Sequence, residues 1–204
     1  MLRFQISISL DGYSAGPHQS REEPLGAGGM QLHEWVFELA AWRREHGLEG
    51  GVENASTPVV EAATANLGAT IMGKNMFGGG APWEGWWGDE PPFHHPVFVL
   101  QHEPRPPLVL GETTFHFVND GIESALEQAQ AAAGGKDVAI GGGANVVQQY
   151  LAAGRVDEFV LHVVPVLLGG GERLFEGVSG VPLELADVVD APGVVHLTYR
   201  RRRE

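Results

Sequence analysis

A buried strand that runs directly into three glycines and then into a helix constrains this chain more than any other feature. Residues 137–140 predict the strand, Gly141, Gly142 and Gly143 follow without a spacer, and residues 144–153 have helical periodicity. Glycine loses more conformational entropy on folding than any other residue. The three glycines therefore predict a point at which bare backbone is needed.

The same arrangement occurs once more, where a predicted strand at 69–72 meets Gly73, Lys74 and Asn75. A helix N-terminus attracts anions through its free N–H groups and its dipole. Two such ends on one sheet predict sites for the two phosphate groups of a dinucleotide. A tight strand-to-helix turn is the alternative for either cluster alone. Neither cluster has the spacing of a Rossmann or P-loop motif.

The order of predicted elements indicates an α/β fold. Strands and helices alternate for about 160 residues, including an amphipathic helix predicted over 31–45, and strands alone follow. This order predicts a three-layer αβα arrangement with a mostly parallel central sheet and antiparallel C-terminal strands. A length of 204 residues with 43% hydrophobic content supports a single domain over 1–204.

Charge and composition exclude several classes of function. The formal net charge of −13 repels phosphate backbones and anionic lipid, so no nucleic-acid or membrane partner is predicted. The chain has no cysteine, and its clustered histidines lack metal-ligand spacing, so no metal is predicted. It also lacks a secretory signal and any run of 18 apolar residues, which predicts a cytoplasmic protein.

Several segments are similar to known reductases. The segments GATIMGKNMF (68–77), VFVLQHEP (97–104) and AIGGGANVVQQYL (139–151) resemble, in order, the three cofactor-contacting segments of dihydrofolate reductases. ISLDGYSAG (8–16) and GRVDEFVLHVVPVLLGGGERLF (154–175) resemble the reductase domain of the bifunctional riboflavin-biosynthesis deaminase/reductase. The resemblance covers nearly the whole chain and implies a stand-alone member with the dihydrofolate-reductase-like fold.

The resemblance implies NADPH as cofactor. Gly73, Lys74 and Asn75 match the segment on the adenosine side, where a basic residue pairs with the 2′-phosphate. Gln101 and His102 are the implied residues for the adenine ribose. Those implied for the pyrophosphate and nicotinamide ribose are Gly141, Gly142, Gly143, Ala144 and Asn145. Met76 and Val146 depart from the family, because dihydrofolate reductases usually carry Thr and Tyr there.

The substrate side is less well marked. Asp11 matches an aspartate that lies beside the reduced sugar, where it would orient or protonate the substrate, but Asp-Gly is also a common turn signal. Glu34 could hold a heterocycle, with a solvated helix face as the alternative. Trp83, in a tryptophan-rich loop, could line a pocket, form a lid or pack at an interface. No basic cluster for a substrate phosphate is evident, which argues against the riboflavin intermediate.

Three functions remain open. The first is an NADPH-dependent reductase acting on a C=O or C=N bond of a small heterocyclic or sugar-bearing substrate, resembling 5-amino-6-(5-phosphoribosylamino)uracil reductase. The second is a non-catalytic NADP(H)-binding module, and the third is a true dihydrofolate reductase. By analogy with the resembling reductases, a homodimer is expected.

Overall fold

The computed structural model describes residues 1–20, 22–78 and 90–202. Its strands are β1 (Leu2–Ser9), β2 (Tyr13–Ala15), β3 (Leu67–Gly73), β4 (Val97–Leu100), β5 (Leu108–Leu110), β6 (Thr113–Val118), β7 (Asp137–Gly142), β8 (Glu158–Val164), β9 (Glu172–Arg173), β10 (Leu183–Ala191) and β11 (Val194–Arg201). Its α-helices are α1 (Glu34–Phe37), α2 (Ala40–Glu45), α3 (Thr57–Thr64), α4 (Lys74–Phe77), α5 (Ile122–Ala133) and α6 (Ala144–Ala152).

The chain divides into two compact units. Unit 1 comprises Met1–Phe4 and Asn66–Asp157, and unit 2 comprises Gln5–Ala65 and Glu158–Glu204. Strand β1 contributes its first residues to unit 1 and its remaining residues to unit 2. The single domain over 1–204 stays a prediction.

Unit 1 is a mostly parallel sheet with helices packed on it. Its strand order is β1-β7-β3-β4-β6-β5, and neighbours pair in parallel except β5 with β6. Helix α5 packs on β3, β4 and β7, and α6 packs on β7 and β3. The apolar strands of a parallel sheet are buried on both faces, and one core cluster here contains Met72, Phe77, Val97, Val99 and Phe115.

Unit 2 is antiparallel where its pairings are defined. The strand order is β10-β11-β8-β1, and β11 pairs antiparallel with both β10 and β8. A separate short ladder joins β2 to β9. The alternating β and α elements followed by a β-rich end thus confirm the α/β fold with a mostly parallel central sheet and antiparallel strands.

The prediction of one continuous helix over 31–45 is wrong. A 3₁₀ turn at Gly29–Leu32 precedes α1, and Leu39 then adopts an extended backbone with ψ 132° before α2 begins. The amide of Ala40 donates to the carbonyl of Val52, and the amide of Val52 donates to the carbonyl of Glu38. These bonds to a distant segment replace the helical bonds at 38–40, which amphipathic spacing alone does not reveal.

The strands predicted at 69–72 and 137–140 and the helix predicted at 144–153 are confirmed with shifted ends. Helix α3 stops at Thr64, because Leu67 already belongs to β3. Helix α5 ends before Gly134, which lies in the left-handed region at φ 58°. Within the described ranges, no helix is long and apolar enough to cross a membrane.

Candidate functional site

The three predicted cofactor segments meet at one edge of unit 1. Parallel pairing sets Met72 of β3 beside Gly142 of β7, and Gly73 beside Leu100 of β4. The chain leaves all three neighbouring strands in the same direction at this edge. The carboxyl ends of parallel strands are where open α/β sheets bind ligands. The structure therefore brings the segments at 73–75, 101–102 and 141–145 together.

Helix α6 offers free backbone donors at this edge. It begins directly after Gly143, and in the described structure no side chain caps its N-terminus. The amides of Val146 and Val147 already donate to the carbonyl of Gly143. The first N–H groups of a helix have no intrahelical partner, so the amides of Ala144 and Asn145 are the available donors. An anion would be held here by backbone groups.

The backbone conformation and close packing of the fold favour glycine at all three positions of the triplet 141–143. Gly142 has φ 138° and Gly143 has φ 86°, a region that other residues rarely adopt. A Cβ on Gly141 would lie 2.8 Å from the side-chain methyl of Thr70. The fold therefore favours glycine at these positions independently of any ligand. Among the described residues, however, a Cβ on Gly143 would meet only Val146, at 4.0 Å, so this part of the structure leaves room for a ligand.

The second predicted phosphate site, at the start of α4, attracts anions less strongly than the first, at the start of α6. Helix α4, which starts at Lys74, is only four residues long, so little dipole accumulates at its N-terminus. The side chains of Lys74 and Asn75 are exposed. Electrostatic attraction at this corner therefore comes mainly from the ammonium group of Lys74, rather than from the helix as at α6.

Arg105 is a second cation beside α4, and no motif in the sequence marks it as a binding residue. Its guanidinium lies 4.5 Å from the ring centroid of Phe117 and 5.5 Å from that of Phe77, the last residue of α4. The proline-rich link after β4 carries it, and this link begins with Gln101 and His102. Gln101 is half-buried, and its amide donates to the carbonyl of Val118, whereas His102 is exposed. In the sequence, the signal that could have marked Arg105 is its position between prolines in EPRPP (103–107).

Asp11 lies in unit 2, and its carboxylate is tied to the backbone of a distant loop. The amides of Leu168 and Gly169 donate to its two oxygens at 3.1 and 2.8 Å. A hydrogen bond from Ser9 and these amides lower its pKa to about 2. Asp11 is therefore ionised at neutral pH, which favours its predicted orienting role over its predicted proton-donating role. The loop partners belong to the LLGGG segment (167–171), to which the family resemblance assigned no role.

The remaining predicted positions are less informative. Glu34, also in unit 2, is exposed as the first residue of α1. Trp83 lies outside the described residues. Over the ranges that the structure describes, no group of three or more His, Asp or Glu side chains could hold a metal ion.

Comparisons with known proteins agree with this arrangement. The family described as RibD C-terminal domain matches residues 1–197. It supports a reductase of the riboflavin-pathway type. YyaP of Bacillus subtilis (strain 168) is 34% identical over 85 residues, which are 41% of this chain and 45% of YyaP. The aligned part is thus less than half of that curated relative.

Two solved structures share the fold. A riboflavin biosynthesis protein from Shewanella sp. PV-4 aligns with a TM-score of 0.69 and 22% identity, over 99% of both chains. Dihydrofolate reductase from Enterococcus faecalis, complexed with NADP(H), aligns with a TM-score of 0.56 and 13% identity, over 100% of this chain and 97% of that one. The dihydrofolate-reductase-like fold is confirmed, and because one family spans nearly all of the sequence, the chain belongs to the RibD C-terminal domain family.

Proposed function

We propose that the chain is an NADPH-dependent reductase that acts on a C=O or C=N bond of a small heterocyclic or sugar-bearing compound. The observation that carries this proposal is the meeting of three segments at the carboxyl ends of β7, β3 and β4. NADPH, when bound, supplies the hydride. The chain's own residues would bind the cofactor, orient the substrate and exclude water.

The residues at this edge fit a dinucleotide. The free amides of Ala144 and Asn145 would bind the pyrophosphate, with Gly142 and Gly143 allowing its close approach. Lys74 would pair with the 2′-phosphate as a point charge, while Gln101 and His102 would flank the adenine ribose. The net charge of −13 makes such local donors necessary for an anionic ligand.

The two positions that depart from dihydrofolate reductases lie in the cofactor segments, and they argue against a true dihydrofolate reductase. Val146 is buried, with a methyl group 3.0 Å from where a Cβ on Gly73 would lie. The sulfur of Met76 would lie 3.3 Å from a Cβ on Gly142. Both side chains fill space with apolar atoms where the related enzymes usually carry hydroxyl groups. The same observation favours the second candidate, a module that binds NADP(H) without turnover.

Lys74→Ala is expected to remove most of the preference for NADPH over NADH. The wild-type chain should prefer NADPH by about tenfold or more, because a phosphate–ammonium contact contributes about 1.5–3 kcal/mol. Quenching of tryptophan fluorescence during titration with each dinucleotide measures the ratio. Lys136→Ala is the matched control, since it removes the same charge from the chain's other lysine. An equal loss of preference in both variants, or no binding of either dinucleotide by the wild type, contradicts the proposal.

Measurement of turnover distinguishes the three candidate functions. NADPH oxidation at 340 nm would be followed with dihydrofolate, other pterins, and ribosylaminopyrimidines with and without a 5′-phosphate. We expect oxidation with a pterin other than dihydrofolate or with a ribosylaminopyrimidine. Tight NADPH binding with no oxidation by any compound would instead support the binding module. Oxidation with dihydrofolate alone would support the third candidate.

The proposal also includes that the chain is cytoplasmic and forms a homodimer. Strand β10 forms one end of the strand order in unit 2, and its Leu185 and Val188 side chains are 55% and 52% exposed. A long edge strand with exposed apolar groups is suited to pairing with a second copy. Light scattering should therefore give about twice the chain mass of 21.9 kDa. A mass near 21.9 kDa would contradict the dimer.

A further inference from the structure

Unit 2 contains a buried chain of hydrogen bonds that the proposed reaction does not use. His162 of β8 and His196 of β11 pair directly across the antiparallel ladder, and their side chains are 4% and 1% exposed. Their Nδ1 atoms lie 2.8 Å apart. The Nε2 atom of His196 lies 2.8 Å from the Oγ of Ser56, and the Nε2 atom of His162 lies 3.2 Å from the Oε1 of Gln5.

When both imidazoles are neutral, chemistry fixes the direction of every proton in this chain of four residues. The Oε1 of Gln5 can only accept, so the Nε2 of His162 carries a hydrogen and its Nδ1 is bare. The Nδ1 of His196 must then donate to that bare nitrogen, and its Nε2 accepts from the hydroxyl of Ser56. All partners are then satisfied with no charge on either ring. One added proton would place an uncompensated positive charge in the buried pair, with the Nδ1 of His162 then donating to His196, and protonation of both rings would set two N–H groups against each other at 2.8 Å.

The indole ring of Trp35 packs against both histidines. Its ring centroid lies 4.9 Å from that of His162 and 5.0 Å from that of His196. Its indole N–H lies 3.0 Å from the carbonyl of Leu32 and 3.3 Å from the hydroxyl of Ser7. The position of the segment at 29–37 thus depends on a polar cluster in the interior of unit 2.

The described residues around the pair offer no compensating anion. Burial and then the neighbouring His196 and His33 lower the pKa of His162 to about 3, and burial lowers the pKa of His196 to about 4. Strand β1 contributes uncharged Gln5 and Ser7. The charged groups of the neighbouring elements are engaged elsewhere or lie in solvent: Glu158 and Arg200 pair with each other, Glu184 and Asp187 of β10 act on Arg200, Glu61 of α3 pairs with Arg44, and Glu34 and Glu38 are exposed.

We infer that the Ser56–His196–His162–Gln5 chain is an acid-sensitive latch that holds Trp35 and the segment at 29–37 onto the strands of unit 2. Neutral imidazoles keep the latch closed, and proton uptake by His162 and His196 once the segment has opened keeps it open. Glu34 lies within this segment, so acid would also displace the predicted substrate-side carboxylate. Only that last consequence rests on the proposed function.

The sign of the pH effect follows from the lowered pKa values. A histidine whose folded pKa lies below its ordinary value of 6.5 stabilises the closed state fully above that pH. The contribution is lost as the pH falls from 6.5 towards about 3. Each of the two histidines should raise the opening equilibrium by about tenfold per pH unit within this window.

Hydrogen exchange of the full chain at pH 7.5 and pH 5.0 tests the latch without cofactor or substrate. After correction for the intrinsic exchange rate, peptides over 29–37 should open at least tenfold more at pH 5.0 than at pH 7.5. Peptides from α5 in unit 1 serve as the internal reference and should change less than twofold. An unchanged 29–37 segment, or an equal change in α5, would overturn the inference.

His162→Asn tests which group takes up the proton. The asparagine Oδ1 can still accept from His196 but cannot be protonated, so the ratio between the two pH values should fall by about tenfold. His116→Asn is the control, because that histidine stacks on Phe98 in unit 1, and it should leave the ratio unchanged. Nitrogen-15 shifts of the wild-type imidazoles give an independent reading if the variant does not fold. A His162 with hydrogen on both nitrogens at pH 7.5 would refute the latch.

Discussion

Gly171→Ala is expected to destabilise unit 2 by about 3 kcal/mol or more. Gly171 has φ 121°, where alanine is strained, and an added Cβ would overlap the carbonyl oxygen of Ala15. That backbone cannot give way easily, because Ala15 pairs with Glu172 in the β2–β9 ladder. The substitution must therefore separate the two strands or distort both. Urea unfolding of the purified variant measures the loss.

Gly170→Ala is the matched control for this prediction. The two glycines are adjacent in the same triplet, but Gly170 has no strained φ, and a Cβ there would meet no atom of the described residues within 4 Å. Alanine at Gly170 should change the free energy of unfolding by less than about 0.5 kcal/mol. Equal effects at the two positions would mean that the close approach to Ala15 does not hold in solution.

The order of the elements could be predicted because its signals are local. Apolar runs, glycine stops and the strand–glycine–helix corner at 137–153 each lie within one stretch of sequence, and the structure forms α6 within one residue of the predicted end. The same local signals overestimated the corner at Lys74. The length of a helix depends on the residues beyond its first turn, and α4 ends after one turn at Gly78, whose φ is 111°.

The features that the sequence did not reveal depend on contacts between distant residues. Asp11 is bound to amides 157 and 158 positions away, and His162 and His196 are 34 positions apart. The break at Leu39 likewise depends on a bridge to Val52. Periodicity describes which face of an element is buried but not which polar group meets another inside. Such pairs therefore had no signature in a single sequence.

These distant contacts change the chemistry expected of the candidate site. Asp11 followed by Gly12 predicts a turn or a proton donor equally well from sequence. The bonds from Ser9, Leu168 and Gly169 make it instead a fixed anion. Its stabilising contribution is present above its ordinary pKa of 3.8 and is lost as the pH falls towards about 2. A proton needed at neutral pH must then come from another group or from solvent.

Asp11→Ala and Asp11→Asn are both expected to lower kcat/KM by about 100-fold in the proposed reduction, because small misplacements of positioning groups cost this much. Asparagine keeps the shape of the side chain but turns an NH₂ group towards one of the two amides that now donate to the carboxylate. NADPH affinity should change less than threefold in either variant, since the predicted cofactor segments all lie in unit 1.

The pH profile decides between orientation and proton donation by Asp11. If Asp11 orients the substrate, any acid limb of kcat between pH 5 and 8 in the wild type should persist in Asp11→Asn, because a carboxyl group with a pKa of about 2 does not titrate there. Asp120→Asn is the control: that carboxylate accepts from Ser124 at the start of α5, and kcat/KM should stay within twofold. Loss of the acid limb in Asp11→Asn alone would assign the proton to Asp11. It would then require the bonds to Leu168 and Gly169 to break during turnover.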